Sequence, residues 1–129
     1  MIKTRGISHV NLAVRDLARA AAFYSQAFGM EEIVRLSTFT SLRTPGATDV
    51  LSLDENPTLA EKAGDNGGIT HWGFLLQDPD AIDSAIEEVE RAGGKFIERG
   101  EHLPGAPFAY VTDPDGYRIE LVFDPHLPA

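Results

Sequence analysis

The feature that most constrains this chain is that it is written twice. The run Ile7-Ser8-His9-Val10-Asn11-Leu12-Ala13-Val14-Arg15-Asp16 returns 62 residues later as Ile69-Thr70-His71-Trp72-Gly73-Phe74-Leu75-Leu76-Gln77-Asp78. Ile, His and Asp are identical in the two copies, Ser pairs with Thr, and most other positions are apolar in both. Only two copies are present, so the repeat describes a domain built by duplication and not a solenoid.

Each copy reads as a strand, then a helix, then three shorter strands. The first helix starts after Asp16, a good N-cap, carries Leu17, Ala20, Ala21, Tyr24 and Phe28 on one face, and ends at Gly29. The second has Asp78 as N-cap and Pro79 at its first position. It carries Ile82, Ile86 and Val89 and stops at Gly93-Gly94. The short strands are expected near Glu32–Arg35, Ser37–Thr44 and Asp49–Leu53, then near Lys95–Arg99, Phe108–Thr112 and Tyr117–Phe123. Thr44-Pro45-Gly46 and Asp113-Pro114-Asp115-Gly116 supply turns. One domain is expected: a first repeat over about 5–54, a polar linker over about 55–67, a second repeat over about 68–124, and a tail at 125–129.

Composition narrows the function classes. With 129 residues and 43% apolar content, the chain can bury a core. Its net charge of −9 opposes binding to nucleic acid or to anionic membrane surfaces. There is no cysteine, which removes disulfides, thiolate zinc sites and a Cys nucleophile. No leader and no long apolar run is read, so the expected location is the cytoplasm.

Side chains alternate across a strand, so each strand has a helix side and a front. Val10, Leu12 and Val14 are expected against the helix, leaving His9, Asn11 and Ala13 in front. In the second copy Trp72, Phe74, Leu76, Ile119, Leu121 and Phe123 face the helix, leaving His71, Gly73, Arg118, Glu120 and Val122 in front. The fold class expected is α+β: two βαβββ repeats forming a half-open mixed β-barrel, helices outside, with a metal cleft between the fronts. Copies related by a pseudo-two-fold axis would present His9 and His71 to one ion, and Glu120 would add a carboxylate. Two imidazoles, one carboxylate and open positions make a catalytic set, not a closed structural one.

These segments resemble the vicinal oxygen chelate superfamily. It includes glyoxalase I, extradiol dioxygenases, fosfomycin-resistance proteins, methylmalonyl-CoA epimerase and bleomycin-resistance proteins. The resemblance runs from Gly6 to Phe123 and rests on the two His-bearing segments, the Phe23-Tyr24 helix ending in Phe28-Gly29, and Asp113-Pro114-Asp115-Gly116-Tyr117-Arg118-Ile119-Glu120. It implies one divalent metal ion on His9, His71 and Glu120. Fe(II) is favoured; Mn(II), Ni(II) and Zn(II) are the other candidates. Many members carry a fourth ligand, often Glu, on the last strand of the first copy. Matching the Gly46 and Gly116 turns puts Val50 or Leu51 there, which disfavours a glyoxalase reaction.

Gly100-Glu101-His102, then Tyr110 through Gly116, then Glu120 resembles the extradiol dioxygenase pattern. The favoured reading is therefore an Fe(II) dioxygenase acting on a small molecule with two neighbouring oxygens. In it Tyr110 hydrogen-bonds a bound oxygen, His102 transfers a proton, and Asn11, Phe39 and Arg118 contact substrate. The alternatives are a glyoxalase-like isomerase or fosfomycin-resistance-like transferase, and a metal-free drug-binding protein of the bleomycin-resistance type. Members of this size are commonly homodimers, which is the oligomeric state expected here.

Overall fold

A computed structural model describes residues 1–64 and 67–127. Two residues of the expected linker (65–66) and the last two of the tail (128–129) lie outside the described set. The chain divides into two compact units, Met1–Glu61 and Lys62–Ala129.

The first unit contains β1 (Val10–Val14), α1 (Leu17–Phe28), β2 (Glu31–Arg35), β3 (Phe39–Arg43), β4 (Leu51–Glu55) and a one-turn helix α2 (Pro57–Ala60). The second contains β5 (Trp72–Leu75), a 3-10 turn (Pro79–Ala81), α3 (Ile82–Arg91), β6 (Lys95–Glu101), β7 (Pro107–Thr112) and β8 (Arg118–Val122). Among the described residues the strands form two four-stranded sheets, ordered β1-β4-β3-β2 and β5-β8-β7-β6. The α+β design of two βαβββ repeats is as expected: each repeat forms one mixed, open sheet with its own helix packed on it.

The duplication extends to register. The first strand of each unit pairs parallel with the last, Val10 opposite Leu51 and Trp72 opposite Ile119. Each second strand carries one bulge, between Glu32 and Val34 and between Phe96 and Glu98. A bulge bends and twists an edge strand, and its recurrence marks it as part of the design.

The helix starts follow the capping chemistry. Asp16 accepts from Arg19 N–H at 2.9 Å. Asp78 accepts from Asp80 N–H at 2.8 Å, but it caps the 3-10 turn that leads into α3, because Pro79 opens that turn. Gly29 closes α1 at φ 66°, the left-handed region that suits glycine. Buried under the helices are Leu12, Val14, Leu17, Ala20, Ala21, Tyr24, Ile82, Val89, Ile119 and Leu121, together with Phe23. Phe23 makes an edge-on contact with Tyr24 at 4.9 Å, which widens the apolar face of α1 beyond the expected set. Val10 stays exposed, at the mouth of its strand.

Three boundaries differ from expectation. The strands begin at Val10 and Trp72, so His9 and His71 stand at strand entrances and not within strands. β4 starts at Leu51, because Thr44 is tied to Asp49 through its N–H (2.8 Å) and its hydroxyl (2.7 Å), lengthening the turn. The segment read as linker is partly structured: β4 runs to Glu55, and Asn56 caps α2 by accepting from Leu59 N–H at 3.0 Å. In the second unit the corresponding turn is shorter. Asp113 Oδ1 accepts three backbone N–H bonds, from Asp115, Gly116 and Tyr117, each at 2.9 Å.

Candidate metal centre

The second unit gathers three of the expected residues, His71, His102 and Tyr110, around the carboxylate of a fourth, Glu120. Glu120 is central on β8, next to Gly73 of β5 and opposite Tyr110 of β7. Its Oε1 lies 3.1 Å from His71 Nε2 and accepts from the Tyr110 hydroxyl at 3.2 Å. Its Oε2 lies 2.8 Å from His102 Nε2. The Glu120 side chain is 12% exposed, so this is a sheltered carboxylate. Gly73 makes the packing possible: a Cβ there would stand 2.8 Å from the Glu120 carbonyl oxygen and 3.3 Å from its Cβ.

Both histidines of the repeat have the same local support. Ser8 Oγ lies 2.6 Å from His9 Nδ1, and Thr70 Oγ1 lies 3.0 Å from His71 Nδ1. In the tautomer that leaves Nε2 with a free lone pair, Nδ1–H donates to this oxygen. Ligating histidines use their second ring nitrogen in this way, which fixes tautomer and ring direction. The Ser/Thr match beside each His was visible in the sequence, and its meaning is this contact.

The donors suit a divalent ion. Adjacent ligands on a four- to six-coordinate ion with bonds of about 2.1 Å stand roughly 3.0–3.4 Å apart. The 3.1 Å between His71 Nε2 and Glu120 Oε1 falls in that range. Among the described residues no three His, Cys, Asp or Glu side chains already stand together as a metal cage.

Register corrects the assignment of the fourth position. Glu120 pairs with Tyr110 and lies beside Gly73; the same places in the first unit are Ser52, paired with Ser41 and beside Asn11. The twin of Glu120 is therefore Ser52, not Val50 or Leu51. Ser52 is buried and its side chain is too short to replace a glutamate. Counting from the glycine turns failed because the Asp49 contacts add two residues before β4.

The remaining expected residues are distributed as follows. Asn11 donates from Nδ2 to Asp54 Oδ2 at 2.9 Å, and the two line a cavity of about 420 Å³ in the first unit with Ala13, Glu55, Asn56 and Leu59. Phe39 is half-buried on β3, opposite Asp54. Arg118 is half-buried on β8, opposite Thr112.

The Tyr110 hydroxyl is held above its ordinary pKa of 10.0. Burial is the main cause. The Glu120 charge, its hydrogen bond to Glu120 and the Glu98 charge add to it, and Arg118 opposes them. Tyr110 is thus a neutral O–H donor at ordinary pH.

Sequence reasoning missed Phe108. Its ring stacks on the His102 imidazole, with centroids 4.2 Å apart and planes 13° from parallel.

The family model of the Glyoxalase/Bleomycin resistance protein/Dioxygenase superfamily matches residues 6–121, and the chain belongs to that family, the vicinal oxygen chelate proteins. It is 30% identical over 125 residues to a lactoylglutathione lyase of Haemophilus influenzae, spanning 90% of each chain. It is 27% identical over 117 residues to the glutathione transferase FosA of Serratia marcescens, spanning 91% of this chain and 79% of that protein. In fold it is similar to the fosfomycin resistance protein FosX of Listeria monocytogenes, with a TM-score of 0.77 at 24% identity over 98% of this chain and 97% of that one. Among the described residues no helix is long and apolar enough to cross a membrane.

Proposed function

We propose that this chain is a metal-dependent enzyme of the fosfomycin-resistance type, acting on a small molecule that chelates one divalent ion through two neighbouring oxygens. The proposed ligands are His71, Glu120 and His9, the last from the same chain or from a second copy in a homodimer. The single observation that carries this reading is the pairing of a sheltered Glu120, 3.1 Å from His71 Nε2, with a serine at its twin position. That leaves a three-ligand site with open positions for substrate. The relatives move the reading away from the favoured dioxygenase, since those named here are a lyase and fosfomycin-resistance proteins.

A bound divalent ion would supply Lewis acidity to the chelated substrate oxygens. This chain's own residues do the rest. Tyr110 offers a neutral hydroxyl beside the ligand oxygen of Glu120. Arg118 supplies positive charge on the same strand, suited to an anionic substrate group. Asn11 and Phe39 are assigned to substrate contact from the first unit. Mn(II) becomes the first metal to test, because a FosX variant was solved as a complex with Mn(II) and a dihydroxypropylphosphonic acid.

A second reading, a glyoxalase-like lyase, is favoured by the 30% identity to a lactoylglutathione lyase. Ser52 weighs against it, because that reaction uses a carboxylate on this strand by the resemblance. The test is to load stripped protein with Mn(II), Ni(II), Zn(II) or Fe(II). It is then offered fosfomycin with water or glutathione, followed by phosphorus NMR, and the methylglyoxal–glutathione hemithioacetal, followed by absorbance. Turnover of the epoxide supports the first reading. Turnover of the hemithioacetal alone overturns it in favour of the second. Oxygen uptake with catechols, and neither of the others, would restore the dioxygenase.

A further inference from the structure

The hairpin joining β6 to β7 is longer than its twin. Arg35 pairs with Thr40 across the first unit's hairpin, five positions on; Arg99 pairs with Ala109 across the second unit's, ten positions on. The extra five residues exist only in the unit that carries Glu120, and His102 lies in them.

Three contacts hold His102 in place. Its backbone N–H donates to the Ala106 carbonyl at 3.1 Å, closing the loop on itself. Its ring lies flat on Phe108. Phe108 in turn lies over Gly100, where an added Cβ would come within 3.1 Å of two ring carbons. The stack sets the imidazole plane so that Nε2 meets Glu120 Oε2 at 2.8 Å.

We infer that His102 is a positioning residue for the metal-binding carboxylate. Nε2–H donates to Oε2, so only Oε1, the oxygen facing His71, is offered to an ion. A glutamate free of this contact can swing both oxygens onto the metal, filling a position that substrate needs. The extended hairpin therefore keeps Glu120 monodentate and the coordination sphere open. This rests on the metal reading above and deepens it; His102 here holds the ligand instead of transferring a proton.

The test uses Co(II), whose visible absorption reports coordination number. Full-length protein is compared with His102→Leu and His102→Gln. His102 is 47% exposed, so neither change disturbs the core. Glutamine places an N–H near the position of Nε2, and leucine places none. His102→Leu is expected to lose about 10–100-fold in Co(II) affinity, the usual effect of removing a ligand's supporting partner. Its absorption should weaken as coordination number rises, and His102→Gln should recover most of both. Unchanged affinity and spectrum in His102→Leu overturn this inference alone. Failure of the unaltered protein to bind Co(II) overturns the metal reading and this inference with it.

Discussion

Gly73→Ala puts the tightest contact of the candidate site to the test. The added methyl would sit 2.8 Å from the Glu120 carbonyl oxygen, nearer than real carbon–oxygen contacts of this kind allow. That oxygen is main chain, held in the parallel pairing of β5 with β8, so relief requires the two strands to part. Overpacking of this sort costs about 1–3 kcal/mol. Against it, replacing glycine in a strand returns roughly 0.5–1 kcal/mol by restricting the unfolded chain. The expected net loss is about 1–2 kcal/mol, which lowers the urea midpoint by about 0.5–1 M if the slope is about 2 kcal/mol per molar. Gly68→Ala is the control: a Cβ there meets nothing within 4 Å, and no loss is expected. The same methyl reaches within 3.3 Å of the Glu120 Cβ, so Mn(II) affinity should fall as well. A Gly73→Ala midpoint at or above that of the unaltered protein would refute the argument, because it would mean the strands part freely.

His71→Ala should remove most bound metal, measured by elemental analysis after dialysis; unchanged content would show that the ion lies elsewhere. Asp113→Ala strips the acceptor from three backbone N–H groups in a buried turn and should cost about 2–3 kcal/mol in urea unfolding, with Asp113→Asn recovering part of it. In metal-free protein, the ultraviolet difference between the unaltered chain and Tyr110→Phe should show a phenolate appearing only above pH 10.0. Because the folded state raises this pKa, the tyrosine's contribution to stability is complete below the unfolded value and is lost as pH climbs through the folded one. A phenolate forming below that pH would contradict the burial and charge argument.

The sequence was most informative where chemistry repeats. The duplicated Ile-Ser/Thr-His run, the Asp caps and the helical spacing of Leu17, Ala20, Tyr24, Ile82 and Val89 identified the units and most of their cores. It was least informative where geometry depends on pairing across strands. The bulges in β2 and β6 leave no residue signature, and the twin of Glu120 could be read only once Ser41 and Ser52 were seen in register. His102 was legible as a motif, but its partner was not. The contact to Glu120 depends on a ring stack with Phe108 that no spacing rule reveals.

The hydroxyl beside each histidine has a consequence for how a metal would be captured. Ser8 and Thr70 are chain neighbours of the rings they steady. Their hold therefore asks nothing of tertiary assembly and travels with the strand entrance wherever that strand goes. A ring held in this way has less rotational freedom left to lose when an ion arrives. If His9 and His71 hold the proposed ion, part of their aim is written into a two-residue hydroxyl–imidazole pair, and such a pair could be moved to another strand entrance.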